Sequence, residues 1–322
     1  MSLFRKKYSY GILAPDYYDP RDYLLSDVQP IKVALPDEFD LRSQQSPIQN
    51  QNGLGICYSF MIAGIGEYWN TKEYHQLINL AERFVVYQTK KISGLWNIQG
   101  DYFRNSLKAF CDYGAPLETD YPFSTNWEDY KKEPPEDIIK KALEFKGKTF
   151  WRVNTDLESI RQAVFQNICP LGFGMPWYKS YNIPEPDGRL PLSSGKMVGG
   201  HAISGGYWTK EKLWFKNSWS SNWGNQGYFY IPFQDFSKYE IWDAEVLLDL
   251  PKPVVTNEGW VAENYLRKIF IKGDIVFPYT RLNIRKIPAG KIIRTLNKEE
   301  KLEILGETQQ KNNYLWQKVK II

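Results

Sequence analysis

The sequence contains few of the residues that bind metals or form disulfide frameworks, with only two histidines and three cysteines among 322 residues. Three cysteines allow at most one disulfide, so a disulfide-stabilised scaffold is excluded and a reducing compartment is the simpler expectation. No apolar run has the length of a transmembrane helix. The sequence also lacks a phosphate-binding glycine loop and a cluster of metal-ligand residues, so it predicts no cofactor and no metal.

The first residues of the sequence do not resemble a secretory signal peptide. Residues 1–10 include basic side chains but no apolar stretch of signal-peptide length, which favours a cytoplasmic location. With 43% hydrophobic and 16% aromatic residues, the composition is that of a globular protein. The length is sufficient for two domains.

One cysteine lies at the start of a predicted helix. Residues 47–56 are polar and rich in glycine, whereas apolar residues recur at three- and four-residue spacing from Cys57 to Trp69. A thiol at the N-terminus of a helix lies at the positive end of the helix dipole, which favours the nucleophilic thiolate. Cys57 is therefore a candidate nucleophile, although a lone cysteine is more often a small buried apolar residue.

A histidine occurs in an apolar, glycine-rich predicted strand. Within residues 199–207, His201 has neighbours among which an unpaired imidazole would be costly unless it had a function. Asn217 follows sixteen residues later, so a strand, a turn and a returning strand would bring its amide to the imidazole. The second histidine, His75, lies in a polar segment and is expected to be a solvated surface residue.

Amide hydrolysis requires these residue types. It needs a nucleophile, a base that becomes the acid for the leaving amine, and donors for the carbonyl oxygen as it gains negative charge. Cys57 and His201 fit the first two roles, and the Gln51 side chain with the Cys57 backbone N–H fits the third. Asn217 would orient the imidazole, and Trp219 would cover that contact from water. Taken singly, Gln51 and Asn217 are typical turn residues, and Trp219 is typical of a core.

Two blocks in the order cysteine, histidine, asparagine resemble the papain family of cysteine peptidases. In the first, Asn50-Gln51 precedes Cys57-Tyr58, with the glutamine six residues before the cysteine. In the second, Gly200-His201-Ala202 precedes Lys216-Asn217-Ser218-Trp219. Weaker matches extend the resemblance over residues 35–250. It implies an α+β, two-lobed fold in which a helical lobe and a sheet-rich lobe bring the cysteine and histidine together across a cleft.

Three positions depart from the family pattern. Leu54 occupies the place of a cysteine that is disulfide-bonded in secreted members, Tyr58 replaces the usual tryptophan, and Gly200 stands where plant members have an acid. None of these differences removes a catalytic group. Because these three positions differ, the pH profile and the substrate preference of other members are not carried over to this chain.

The apolar periodicity is consistent with this fold. It predicts helices that begin at Cys57 and that cover residues 80–87, 103–113 and 157–166. Runs of β-branched and aromatic residues at 212–216 and 227–231 predict strands in the second half.

The N-terminal part, residues 1–34, has a proline- and aspartate-rich extended stretch at 15–23. It resembles the short leader of bacterial papain-like proteins and is too short for the helical pro-segment of secreted members. Its aromatic residues favour a permanent strap packed along the domain, because they need burial. The alternative is a small inhibitor that lies in the cleft.

A linker is predicted at Pro251-Lys252-Pro253. It separates the expected peptidase domain, residues 35–250, from residues 254–322, which contain 13 Lys and Arg against 7 Asp and Glu. Short strand-like runs in this tail resemble a bacterial SH3-like barrel. Such a basic barrel would hold a peptide, a cell-wall polymer or a neighbouring subunit, although its charge alone more often serves solubility.

The sequence thus predicts thiol-dependent hydrolysis of peptide bonds through an acyl-enzyme. The partner is a peptide or protein substrate, with no nucleic acid and no membrane span. Alternatives on the same triad are a hydrolase of cell-wall peptides or isopeptides, a deamidase and a transferase. The alternative from another class is a binding protein on a catalytically retired peptidase fold.

Overall fold

The computed structural model describes residues 8–17, 19, 22, 24–29 and 32–248, together with the backbone of six later strands. The chain divides into two compact units, Met1–Asp249 and Leu250–Ile322. Within the described residues, no helix combines the length and apolarity needed to span a bilayer.

The first unit contains six α-helices in its described part: α1 (Leu25–Val28), α2 (Cys57–Tyr74), α3 (Glu82–Ser93), α4 (Phe103–Tyr113), α5 (Glu136–Ala142) and α6 (Leu157–Asn167). Its described strands are β1 (Thr149–Arg152), β2 (Leu171–Tyr178), β3 (Met197–Thr209), β4 (Lys212–Lys216), β5 (Tyr228–Pro232) and β6 (Asp243–Leu248). They form an antiparallel sheet in the order β1-β6-β2-β3-β4-β5. Helices α1 to α5 precede the first strand along the chain and α6 lies between β1 and β2. Helices and an antiparallel sheet are thus largely segregated, and the predicted α+β fold is confirmed.

Helix α2 is the central helix, and it begins at Cys57 as predicted. It packs against α3 and α4 on one side and against β3 on the other. Gly66 allows the approach of α4, because a Cβ at that position would lie 2.3 Å from the ring of Phe110. The N-terminus of α2 thereby comes to the boundary between the helices and the sheet.

Strand β3 is the long central strand that carries His201. It pairs with β2 on one side and with β4 on the other, and the second pairing has a bulge between Gly205 and Tyr207. Gly206 supplies the positive φ of 92° at this bulge. The bulge shifts the pairing by one residue, so that Ser204 pairs with Lys216 at the end of β4, which precedes Asn217.

The second unit contains β7 (Glu258–Ala262), β8 (Ile275–Val276), β9 (Leu282–Arg285), β10 (Ile292–Leu296), β11 (Leu302–Lys311) and β12 (Tyr314–Ile321). These strands form an antiparallel sheet in the order β10-β9-β7-β12-β11-β8. The predicted linker at 251–253 lies outside the described residues. The SH3-like barrel stays a prediction.

Candidate active site

His201 and Asn217 are joined by a hydrogen bond. The ring nitrogen Nε2 lies 2.8 Å from Asn217 Oδ1, and the same oxygen accepts from the backbone N–H of Ser218 at 2.8 Å. Because Oδ1 accepts both bonds, Nε2 is the protonated nitrogen of the neutral ring. Nδ1 has no hydrogen-bond partner among the described residues and is left to accept a proton.

Cys57 lies beside the same strand. Its sulfur accepts a hydrogen bond from the backbone N–H of Ala202 at 3.2 Å, and Ala202 directly follows His201. Cys57 and His201 are both fully buried. The N-terminus of α2 thus places the thiol next to the imidazole-bearing strand, as the sequence predicts.

Gln51 links the cysteine loop to the segment after β4. Its Oε1 accepts from Ser218 Oγ at 2.7 Å and from Trp219 Nε1 at 3.1 Å. Since the oxygen is held on that side, Nε2 faces the other side and donates to the carbonyls of Leu54 (2.6 Å) and Ser9 (3.0 Å). The amide predicted to bind the substrate oxygen is therefore rigidly oriented.

Two tryptophans enclose the imidazole. The Trp219 ring centre lies 4.7 Å from that of His201 at 31°, and Trp177 approaches edge-on at the same distance. Both indoles are buried, so they exclude water from the contact with Asn217. Trp219 was predicted in this role, whereas Trp177 was not. Nothing in the apolar run of β2 distinguishes Trp177 from a core tryptophan.

The edge of the cleft opposite β3 is formed by Asp101. Lys90 Nζ lies 3.0 Å from Asp101 Oδ2, and both side chains are fully buried. Ser93 Oγ donates to the same carboxylate at 2.6 Å, and Asn105 Nδ2 donates at 2.8 Å. These bonds fix the backbone at residue 101 to α3 and α4.

A second set of bonds ties this edge to the cysteine loop. The side-chain oxygen of Gln99 accepts from the Gly55 N–H at 2.7 Å, and the Gln99 carbonyl accepts from Tyr58 Oη at 3.1 Å. The three cysteines form no disulfide. Hydrogen bonds and the buried ion pair thus hold the edge and the cysteine loop together.

Residues 8–16, the cleft segment, run between β3 and this edge. The Ile12 N–H donates to the Gly200 carbonyl at 2.9 Å, and the Asp101 N–H donates to the Gly11 carbonyl at 2.8 Å. The segment is thus paired on both sides like a short strand. Residues 8–13 therefore lie between the strand that bears His201 and the edge at residue 101. Whether residues 1–34 act as a strap or as an inhibitor stays a prediction.

The cleft segment covers the predicted catalytic groups. The Ser9 carbonyl receives the hydrogen bond from Gln51 Nε2 at 3.0 Å, and the Gly11 backbone N–H is directed at the Cys57 sulfur. Only glycine fits at position 11, since a Cβ there would lie 2.3 Å from the Gly55 carbonyl oxygen. The backbone therefore passes directly over the thiol.

Aromatic side chains anchor the cleft segment on either side of this crossing. Tyr10 Oη donates to Asn182 Oδ1 at 2.9 Å. The ring of Tyr8 lies 4.9 Å from that of Trp219. The segment is thus attached to the sheet-rich part of the unit by side chains as well as by its backbone.

Burial of both groups determines the ionisation of the pair. Desolvation raises the pKa of Cys57 to about 11, against the opposing backbone hydrogen bonds from Ala202 and Gly11. It lowers the pKa of His201 to about 4, which exceeds the opposite effect of Asn217. Both groups are therefore neutral at pH 7 in this state. The thiolate expected from the helix dipole is absent here because desolvation outweighs the dipole.

A thiol at a helix N-terminus beside a histidine-bearing strand, between a helical and a sheet-rich part, is the architecture of a cysteine peptidase. The family model for papain family cysteine protease matches residues 35–246. The chain therefore belongs to the papain family, and it is a cysteine peptidase. Among the described residues, no group of His, Cys, Asp and Glu could hold a metal ion.

Similar proteins occur in several organisms. Cysteine proteinase 3 of Entamoeba histolytica is 27% identical over 218 residues, which cover 64% of this chain and 66% of that protein. Cathepsin L2 of Homo sapiens is 25% identical over 215 residues, which cover 63% and 62%. The chain thus spans just under two thirds of the length of these two relatives.

The fold is shared with solved structures. Xylellain, a cysteine protease from Xylella fastidiosa, superposes with a TM-score of 0.65 at 24% identity, over 78% of this chain and 99% of that one. At this identity the likeness establishes the fold. The roles of individual residues rest on the site itself.

Proposed function

We propose that the protein cleaves peptide bonds with Cys57 as nucleophile and His201 as base, oriented by Asn217. The observation that carries the proposal is the 2.8 Å bond between His201 Nε2 and Asn217 Oδ1, next to a strand residue that contacts the Cys57 sulfur. This bond leaves Nδ1 as the ring nitrogen available to take the proton of the thiol.

In the reaction, the Cys57 sulfur forms a bond to the substrate carbonyl carbon and its proton passes to His201 Nδ1. The carbonyl oxygen gains negative charge, which the Gln51 Nε2 and the Cys57 backbone N–H stabilise. The carbon–nitrogen bond then breaks, and Nδ1 returns the proton to the leaving amine. Water attacks the thioester with Nδ1 again as base, and the thiol is released.

We infer that this cycle requires the cleft segment to leave. The Ser9 carbonyl uses the Gln51 donor, and the Gly11 backbone occupies the space beside the sulfur. Departure of the segment admits water, which reverses the desolvation that holds Cys57 and His201 neutral. The state with the segment in place is therefore inactive, and its removal both opens the cleft and activates the nucleophile.

Alanine substitutions test the catalytic assignment. Cys57→Ala should abolish turnover of a fluorogenic peptide library, whereas Cys111→Ala and Cys169→Ala should leave it unchanged as matched controls. Intact-mass spectrometry of a slow substrate should show an acyl adduct on Cys57 alone. Turnover that survives Cys57→Ala would contradict the proposal.

We also propose that residues 254–322 form an SH3-like domain that recruits a large substrate. The antiparallel strands β7 to β12 and the excess of basic residues support this assignment. A chain that ends at Leu250 should retain turnover of small peptides and lose only activity on the large target. Loss of small-peptide turnover, together with a markedly lower melting temperature, would instead show that the tail completes the peptidase domain.

A further inference from the structure

The imidazole of His201 needs contacts outside its own residue to hold its orientation. The torsion that turns a histidine ring about its Cβ–Cγ bond has broad minima, so the ring is not fixed by its own geometry. The bond from Nε2 to Asn217 holds one corner of the ring. Trp219 lies against the ring at an angle of 31°, with ring centres 4.7 Å apart. A contact from another direction would stop the imidazole from turning away from these two groups.

Trp177 supplies such a contact from the neighbouring strand. Met175 of β2 pairs directly with His201, and Trp177 pairs with Gly199. Trp177 is therefore the diagonal neighbour of His201 on one face of the sheet. Because Gly199 has no side chain, the fully buried indole can lean across it towards the imidazole. The two ring centres lie 4.7 Å apart, and the planes meet at 69°.

Asn182 in turn fixes the indoles of this group. Trp177 Nε1 donates to Asn182 Oδ1 at 3.0 Å. The Asn182 backbone carbonyl accepts from Trp223 Nε1 at 2.9 Å, and Trp223 packs edge-on against Trp219 with 5.3 Å between ring centres. One residue thus binds the N–H groups of two of the three tryptophans.

The bond to Asn182 Oδ1 sets the orientation of the Trp177 ring. The torsion of an indole about Cβ–Cγ is as broad as that of an imidazole. A buried indole N–H is satisfied only in orientations that bring it to an acceptor. Loss of the Asn182 oxygen would therefore let the indole turn, and the edge of the ring that meets His201 would move with it.

The turn that carries Asn182 is held by the sheet-rich part of the unit. Asn182 ends a turn of 3-10 helix that begins at Lys179. Ser180 Oγ in this turn donates to the Leu192 carbonyl at 3.2 Å, and Tyr181 is buried. These contacts do not involve the cleft segment, so they are retained when that segment leaves.

The same oxygen of Asn182 also binds the cleft segment. Tyr10 Oη donates to it at 2.9 Å. A carbonyl oxygen has two lone pairs, so it accepts the bonds from Tyr10 and Trp177 together. Departure of the segment removes the first bond and leaves the second. The support of the imidazole therefore persists in the open state, in which the reaction takes place.

We propose that Asn182 is a positioning residue for His201 that acts through Trp177 and keeps Nδ1 directed at the Cys57 sulfur once the cleft is open. The inference rests on the proposed function and goes beyond it. When the indole is free to turn, the imidazole samples orientations in which Nδ1 does not reach the thiol proton. Proton transfer then slows, because a small misplacement of a reacting group carries a large cost in rate.

Steady-state kinetics on the full-length chain test the proposal. Gly11→Ala serves as the background, because it keeps the cleft segment from seating over Cys57. In this background Asn182→Leu removes the acceptor at similar side-chain size. It should lower kcat for a fluorogenic peptide by about tenfold to a hundredfold, with KM nearly unchanged.

Two further substitutions separate the acceptor from the side chain as such. Asn182→Asp keeps an oxygen at the same place and should recover most of the lost turnover. Asn225→Leu is the matched control, because the Asn225 side chain donates to the Asp187 carbonyl and not to an indole. It should leave kcat unchanged.

A double-mutant cycle assigns the effect to Trp177. Trp177→Phe keeps an aromatic ring but lacks the N–H, so it should lower kcat by a similar factor. Asn182→Leu added to Trp177→Phe should cause no further loss, because the two residues act as one link. Losses that multiply would overturn the proposal.

The imidazole provides a readout that a general loss of stability does not move. The chain has only two histidines and His75 is exposed, so the Nε2–H of His201 should give one slowly exchanging signal in protein labelled with 15N-histidine. In folded Asn182→Leu this proton should exchange about tenfold faster, since a looser ring opens its bond to Asn217 more often. Asn225→Leu should not change the exchange.

The outcomes distinguish this proposal from the proposed function. A background chain without turnover that depends on Cys57 would contradict the peptidase function, and the positioning role with it. Turnover that is present but unchanged in folded Asn182→Leu or Trp177→Phe would overturn the positioning role alone. Rapid exchange of the Nε2–H in the unsubstituted chain would also overturn it, whether or not the variants fold.

Discussion

The side-chain nitrogen of Gln51 lies 3.0 Å from the carbonyl oxygen of Ser9. An amide that is aimed at a backbone carbonyl, and held from behind by Ser218 and Trp219, has the geometry needed to receive a substrate carbonyl. In this structure the carbonyl that the Gln51 amide binds is that of Ser9, which belongs to the same chain.

Release of the cleft segment should activate the thiol. Gly11→Ala introduces a Cβ that would lie 2.3 Å from the Gly55 carbonyl, so the segment cannot seat over Cys57. We expect alkylation of Cys57 by iodoacetamide to accelerate by about tenfold or more, which corresponds to about 1.4 kcal/mol of lost docking. Leu13→Ala, which trims a half-exposed side chain of the same segment, should have a much smaller effect. Equal rates in the two variants would argue against a blocking role.

Gln51 should act on turnover rather than on binding. In the Gly11→Ala background, Gln51→Ala should lower kcat by about a hundredfold to a thousandfold with KM nearly unchanged, the usual loss for one donor to the oxyanion. Steady-state kinetics on a fluorogenic peptide measure the change. Gln76→Ala, at an exposed position, serves as the control. A kcat within a factor of two of the control would show that Gln51 is only structural.

Docking of the cleft segment should weaken as the pH rises. Burial and the neighbouring Asp243 raise the pKa of Asp16 to about 7, despite Arg104 and Arg152. The docked state therefore binds a proton that the released state gives up. Docking is strongest below the ordinary aspartate range, near 4, and is lost as the pH rises through about 7.

Amide hydrogen exchange measures this dependence. Corrected protection factors at Ile12 should fall between pH 4 and pH 8. In Asp16→Asn the protection factors should change much less with pH, because the carboxyl of Asp16 is gone. The change that remains comes from Asp243 and Glu245, whose pKa values are also raised. An increase of protection with pH would contradict the assignment.

The buried pair of Lys90 and Asp101 should support both stability and substrate binding. Lys90→Met leaves a buried carboxylate without its cation, so we expect the free energy of unfolding to fall by about 3–5 kcal/mol. KM should rise, because the cleft edge at residue 101 loses its anchor. Urea denaturation and kinetics provide the two readouts. Lys140→Met, in the exposed pair with Glu136, should cost no more than about 0.5 kcal/mol.

Local sequence was sufficient to predict the elements that carry the catalytic groups. Both the helix from Cys57 and the helix over residues 103–113 begin where predicted. The second has a strong apolar period, whereas the first is buried on nearly all sides. The roles of Gln51, His201 and Asn217 were proposed from residue type and spacing, and the structure places them together. Each belongs to a short block in which spacing and neighbours carry information.

Other features depend on contacts between distant segments, and no local pattern reports them. Glu245 reads as one acid in an apolar strand, and only the pairing of β6 with β2 shows that it is fully buried in the sheet. Likewise, the helix dipole at Cys57 was visible in the sequence, but the burial that opposes its effect comes from segments distant along the chain, such as β3. The contact of Trp177 with His201 was not predicted for the same reason, because it depends on the pairing of β2 with β3.

The pairing of residues 8–16 between Gly200 and Asp101 also has a kinetic consequence. If the segment blocks the cleft as proposed, its tether lets it compete with substrate at an effective concentration in the millimolar range, however dilute the protein is. A single peptide-bond cleavage between the segment and α1 removes this high effective concentration, because the released peptide then has to return by diffusion. At nanomolar protein, such a peptide with even micromolar affinity stays unbound, so one cleavage event commits the molecule to the open state.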